Sequence, residues 1–187
     1  MFSPRVELAI TTAIEAHGLR RRKAGSAFEA THALSVGLIV SDFGGAEDSV
    51  VAALLHDTLE DTLLDQEVIR DRFGDYVLAI VTDLTEPEKT VPWRRRKEAY
   101  IECLRQSPRD ESRSVASADK IHNLSSMVAG LENQGAAFID MFTVGLEEMV
   151  WYQREVHQML TNAWSHPILD EHGRQLERFL STTKNLR

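Results

Sequence analysis

The residues best suited to chemistry lie in one run, Leu54-Leu55-His56-Asp57-Thr58-Leu59-Glu60-Asp61-Thr62, which follows the apolar Val50-Val51-Ala52-Ala53. An imidazole and three carboxylates at the end of a buried helix are costly to fold around unless they are paired or bind a cation. Residues 56 and 57 are about 100° apart around a helix, so both approach one cation only near the helix edge or in its last turn. Glu60 follows His56 by one turn and Asp61 follows Asp57 by one turn, so each stacks on its partner if the helix continues. The bland reading of this stretch is an acidic helix end. The chemical reading is half of a cation site whose other ligands lie elsewhere in the chain.

Two other positions answer that requirement. His32 shares a helical face with Val36, Val40 and Phe43, and Asp119 shares one with Val115 and His122. A histidine on such a face is often a hydrogen-bonded core residue, but an aspartate there needs a partner. Two imidazoles and two carboxylates, from His32, His56, Asp57 and Asp119, suit Mn, Fe, Co or Zn better than Ca or Mg. Open coordination positions would carry a water whose pKa the ion lowers, giving a nucleophile near neutral pH. His122 reads as a supporting or structural residue rather than a direct ligand. His17, His157, His166 and His172 have no ligand-like spacing.

These side chains need helices to position them. Apolar residues recur at three- and four-residue spacing with few prolines, which predicts an all-α domain. Ser3-Pro4 starts a helix through Val6, Ile10 and Ile14 that ends near His17-Gly18. Arg20 to Ser26 reads as a basic loop, followed by a helix over about 28–43 closed by Gly44-Gly45. Glu47-Asp48 opens the helix that leads into His56-Asp57. Two short helices are predicted over 65–73 and 76–84, broken at Gly74. Pro92-Trp93 opens another that carries a second basic run, Arg94-Arg95-Arg96-Lys97. A helix over about 112–131 carries Asp119. Two or three more fill 136–187, with Met141, Phe142, Val150, Trp151, Tyr152 and Leu160 as expected core.

Bulk composition narrows the class. A chain of 187 residues suits one hydrophobic core. The net charge of -8 argues against a nucleic-acid binder, yet a locally basic cleft can still attract a small anionic substrate. Cys103 is the sole cysteine, which excludes an intrachain disulfide, and it reads as a small buried thiol. No leading apolar run suggests a signal peptide, and no stretch approaches the roughly 20 residues that span a bilayer. No membrane partner is expected, and the expected compartment is the cytoplasm.

The order His … His-Asp … Asp resembles the HD superfamily of metal-dependent phosphohydrolases. Within it, His56 to Thr62 is similar to the HDxxEDT signature of (p)ppGpp hydrolases of the RelA/SpoT type and their small single-domain relatives. Ala118-Asp119-Lys120-Ile121-His122-Asn123-Leu124 is similar to their second signature, ADKxxNL. The likeness continues through Arg22-Lys23, Phe73-Gly74 and Pro92 to Tyr100, and reaches Trp151-Tyr152. It implies a helical HD-domain bundle with His32, His56, Asp57 and Asp119 as metal ligands, manganese being the first expectation and iron, cobalt or zinc the alternatives. It further implies that Glu60 and Asp61 orient or deprotonate the attacking water and assist proton delivery, and that Arg22, Lys23 and Asn123 contact a small nucleotide. The whole of 1–187 would form one HD domain, with a catalytic core over about 20–130 and C-terminal helices over about 136–182.

The resemblance implies a pyrophosphohydrolase acting on the 3′ side of guanosine-3′,5′-bis(diphosphate), without synthetase activity. One departure bears on substrate. Phe28-Glu29 stands where such hydrolases usually have Pro-Tyr, and Ala33 follows His32 where many have proline. The altered pair motivates an alternative, an HD-type nucleotide phosphomonoesterase. A third reading is a nucleotide-binding protein without catalysis, against which the intact ligands and Glu60-Asp61 pair argue.

Overall fold

The computed structural model describes residues 3–23 and 27–184, and within them the regular structure is helical apart from an isolated antiparallel bridge between Arg21 and Phe28. Ala24, Gly25 and Ser26 of the basic loop lie outside the described residues. Helix α1 (Pro4–His17) starts as its sequence dictates, with Ser3 Oγ accepting the Val6 N–H and proline in the first turn. Its buried face is Val6, Ala9, Thr12, Ala13 and His17, whereas Ile14 is 47% exposed. Mostly small residues thus pack toward α2 (Glu29–Asp42) and α3 (Glu47–Leu55), with Ile10 partly buried against the same core.

Helix α3 is the centre of the molecule, buried on every side from Ser49 to Leu55. It lies close to α2 because Gly37 leaves space: a Cβ there would meet Leu54 Cδ2 at 2.9 Å. A single turn, α4 (Thr58–Asp61), follows the break at His56-Asp57. Helices α5 (Gln66–Phe73) and α6 (Asp75–Leu84) join at Gly74, whose φ of 90° favours glycine. Helix α7 (Trp93–Gln106) leads to α8 (Asp110–Gln134), which begins two residues before the expected start. A 3₁₀ segment (Gly135–Met141), α9 (Leu146–Ala163) and α10 (Ile168–Lys184) complete the chain. No helix among the described residues is long and apolar enough to cross a membrane.

Helix α8 joins two apolar clusters. Val115, Ala116, Ala118 and Ile121 belong to the main one, around α3, and Leu124, Met127, Val128 and Leu131 pack with Phe138, Met149, Leu176 and Phe179. Asp119 to Asn123 therefore sits where the clusters meet, on the most firmly anchored helix. The 3₁₀ segment approaches so closely that a Cβ on Gly130 would stand 2.1 Å from the Phe138 ring. Two expectations are corrected. Cys103 is exposed, because α7 buries Tyr100, Ile101 and Leu104 and turns residue 103 outward. Met141 is 44% exposed at the end of the 3₁₀ segment, while Phe138 takes the core position there.

Candidate metal centre and its cleft

The break after α3 shapes the site. His56 and Asp57 form a turn between the two helices, both keeping right-handed helical backbone angles, and α4 restarts with Asp61 N–H donating to the Asp57 carbonyl at 2.9 Å. His56 Nδ1 lies 2.7 Å from the Ala53 carbonyl, to which it donates, so its other nitrogen is left for something else. That atom, His56 Nε2, is buried and 3.2 Å from Asp57 Oδ1, yet no hydrogen bond closes on it. An orphaned buried imidazole nitrogen whose opposite nitrogen is fixed by a carbonyl is the arrangement metal-binding histidines use.

Helices α2 and α8 bring the remaining groups. His32, His56 and Asp119 each place a donor atom within 4.8 Å of the other two, and all three are buried. Asp119 Oδ1 is 3.2 Å from His32 Nε2 and 3.8 Å from His56 Nε2. Asp57 stands on the histidine side of the group, with Oδ2 3.4 Å from His32 Nε2. His122 does not face the group directly; its Nδ1 is 2.9 Å from His32 Nδ1, where one ring donates and the other accepts. A donor set of two imidazoles and carboxylates around an orphaned nitrogen fits a borderline divalent cation.

Without a cation the charges hold one another. Burial works against charge on His56, but the Asp57 and Asp119 carboxylates overcome it and raise its pKa to about 9. Burial likewise opposes ionisation of Asp119, which the Lys120 ammonium and His32 nevertheless hold well below the usual carboxylate range. Asp57 is kept low by His56 and His32 against the same burial penalty. Burial, helped by His32 and Arg22, pushes His122 down to about 4, so it stands behind His32 as a neutral ring.

Beside the cluster opens a cleft of about 870 Å³ whose wall includes Glu60, Asp61, Arg22, Lys23 and Asn123. Asn123 Nδ2 donates to Asp119 Oδ1 at 2.5 Å and its Oδ1 accepts from Arg22 Nη2 at 2.6 Å, linking cleft to cluster. Glu60 is raised to about 7, by burial first and then by the Glu86, Asp57 and Asp61 carboxylates against the opposing Lys97. Asp61 is tethered by Lys89 and Arg20. Lys23 is exposed at the mouth.

Sequence reasoning brought these residues together but missed others on the same wall. Arg96 Nη1 lies 3.0 Å from Glu86 Oε2 and 3.9 Å from Glu60 Oε1, and Lys97 pairs with the same Glu86. Lys120 is bonded to Asp119 Oδ2 at 2.6 Å. The run Arg94 to Lys97 was the available signal for the first pair; a lysine inside an otherwise buried helix segment was the signal for Lys120. Phe28 packs its ring under the Arg21 guanidinium, 4.6 Å from its centroid, while Glu29 reaches the cleft wall.

Comparison with known proteins agrees with this geometry. The profile of a family described as HD domain matches residues 9–139. A protein of Aquifex aeolicus named guanosine-3′,5′-bis(diphosphate) 3′-pyrophosphohydrolase is 35% identical over 99 residues, 53% of this chain and 14% of that protein. A protein of Xenopus tropicalis with the same name, MESH1, is 39% identical over 119 residues, 62% of this chain and 65% of the relative. The match thus spans less than two thirds of either relative. The structure of lmo0812 from Listeria monocytogenes superposes with a TM-score of 0.71 at 33% identity, over 78% of this chain and 96% of that one. A structure described as a metazoan ortholog of SpoT that hydrolyzes ppGpp superposes with a TM-score of 0.79 over 100% of this chain and 99% of the other; at 22% identity it establishes the fold alone.

Proposed function

We propose, from the premise that the chain belongs to the HD domain family, that it is a metal-dependent phosphohydrolase that removes pyrophosphate from the 3′ position of guanosine-3′,5′-bis(diphosphate) or a closely related nucleotide. The observation that carries this reading is the convergence of His32, His56 and Asp119, with Asp57 against both histidines, beside a cleft that pairs Glu60 with a basic wall. The pyrophosphohydrolase names of the Aquifex and Xenopus relatives support the substrate class. His32, His56, Asp57 and Asp119 are the proposed ligands, and manganese the proposed ion. Such an ion supplies Lewis-acid charge and lowers the pKa of a bound water.

The chain's own residues would do the rest. Glu60, half-protonated near neutrality, takes the proton of the attacking water at a carboxylate oxygen and returns it toward the leaving group. Asp61, fixed by Lys89 and Arg20, orients that water. Arg22 and Arg96 both line the cleft, and each keeps one buried guanidinium nitrogen with no hydrogen-bond partner among the described residues. With Lys23 and Asn123 they would balance charge on the phosphoryl group. We take 1–187 as one working domain, the core over about 20–130 carrying the site and the helices over about 136–182 closing the far wall.

The test is turnover of (p)ppGpp by protein purified without chelator, alongside metal analysis. Asp57→Ala should lose metal and turnover together. Glu60→Ala should keep its metal and lose about 10²–10⁴-fold in rate. Undiminished turnover in both variants would sink the assignment. The altered pair favours a second reading: with Phe28 turned under Arg21 and a carboxylate from Glu29 in the wall, the nucleoside end differs from the usual Pro-Tyr. Faster turnover of plain nucleoside monophosphates than of (p)ppGpp would make the protein a nucleotide phosphomonoesterase.

A further inference from the structure

We propose that Lys120 is a positioning residue that fixes which oxygen Asp119 presents to the cation, an inference that rests on reading the His32–His56–Asp119 cluster as a metal site. Lys120 is 6% exposed although it borders the cleft. Lysine ordinarily extends its ammonium to water. Here the ammonium turns inward and meets Asp119 Oδ2 at 2.6 Å. Its nitrogen also stands 5.1 Å from the ring centroid of Tyr100 and 5.1 Å from that of Tyr152. Two aromatic faces from α7 and α9 therefore cage one ammonium, each within cation–π range.

The cage has a geometric consequence for the carboxylate. With Oδ2 held by Lys120, Asp119 turns Oδ1 toward the cluster, 3.2 Å from His32 Nε2 and 3.8 Å from His56 Nε2. Asn123 Nδ2 steadies the same oxygen at 2.5 Å. Asp119 is thus prepared as a single-oxygen donor. The ammonium also offsets one of the two carboxylate charges, from Asp57 and Asp119, that crowd the cluster before any cation arrives. Tyr100 and Tyr152 tie this preparation to two helices that contribute none of the cluster's donor atoms.

Outer partners of metal ligands typically control affinity by about 10–100-fold. The experiment is a calorimetric titration of Mn²⁺ into chelator-stripped wild type, Lys120→Met, Lys120→Arg and Tyr100→Leu, each with its thermal midpoint recorded. Lys120→Met should bind Mn²⁺ about 10-fold or more weakly, and Lys120→Arg should recover most of that loss. Tyr100→Leu, which keeps the ion pair and removes one face of the cage, should bind about threefold more weakly. A purely structural lysine would lower the midpoint and leave the dissociation constant at 25 °C unchanged. Wild-type affinity in Lys120→Met, or in Tyr100→Leu should the first variant not fold, overturns the positioning role alone. A wild type that binds no Mn²⁺ overturns the metal reading and this inference with it.

Discussion

Glu60 is placed to titrate where the reaction would need it. Burial and then the carboxylates of Glu86, Asp57 and Asp61 raise it from 4.5 to about 7, Lys97 opposing. As a base it works in its ionised form, so log kcat/KM of the wild type should climb with pH and level off near that value. Glu60→Gln should abolish that limb. Stability runs the other way. A carboxyl whose folded pKa is raised binds its proton more tightly folded than unfolded, so its contribution is full below 4.5 and is lost as pH rises through about 7. Glu60→Gln should therefore be more stable than wild type at pH 8, by on the order of 1–3 kcal/mol, with the difference gone at pH 4 in calorimetric scans. A variant no more stable at pH 8 would show that Glu60 is not raised. The cluster itself was legible in the sequence because His32, His56, Asp57 and Asp119 are costly on apolar helix faces. Glu86 was not, since an acid after a helix acquires meaning only from the partners that tertiary packing supplies.

At the scale of elements, the site depends on one discontinuity and one anchor. The discontinuity is the end of α3 at Leu55, which frees His56 and Asp57 to face one point and turns Glu60 toward the cleft. Helical periodicity found α3 and an end near His56-Asp57 but left open whether the helix continued, because nothing in His56-Asp57-Thr58 is a strong helix breaker. The anchor is Asp83 at the end of α6, which accepts from Ser107 Oγ and Ser112 Oγ at 2.6 Å each. It also accepts from Arg109 Nε at 2.8 Å and Arg109 Nη2 at 2.7 Å. These bonds lock the α7–α8 turn and thereby the register of the helix that carries Asp119. Removing one partner of a buried, hydrogen-bonded charge strands the others, so Asp83→Ala should cost about 3–5 kcal/mol in urea denaturation at pH 7. Burial would raise this carboxyl, but Arg109 and the two serines hold it below its ordinary value of 3.8. Its contribution is therefore present above that value and lost as pH falls through the lower folded one, and the gap between variant and wild type should shrink at pH 3. A gap that stays constant would place the stabilisation in packing instead of charge.

On the scale of the whole molecule, an acidic protein gathers several of its cations along one cleft. The net charge is -8, yet Arg22, Lys23, Lys89, Arg96, Lys97 and Lys120 all line the same wall. The overall composition did not reveal that concentration, because the cations come from four separate stretches joined only by folding. The cluster beneath adds a competition between proton and metal that should be visible in global stability. In the metal-free protein, burial opposes the charge on His56 while Asp57 and Asp119 raise it to about 9. A histidine raised on folding stabilises fully below its unfolded value of 6.5, and that contribution disappears as pH climbs through about 9. Metal binding requires the neutral imidazole, so each pH unit below the folded value should weaken the cation by about tenfold. Chelated protein should accordingly melt at a lower temperature at pH 8.5 than at pH 6.5, and the gain in midpoint on adding saturating Mn²⁺ should be larger at pH 8.5. Differential scanning fluorimetry with chelator and with Mn²⁺ at both pH values measures the two quantities together. Equal Mn²⁺ gains at the two values would mean that His56 gives up no proton to the ion, and that the orphaned nitrogen is not where the cation sits.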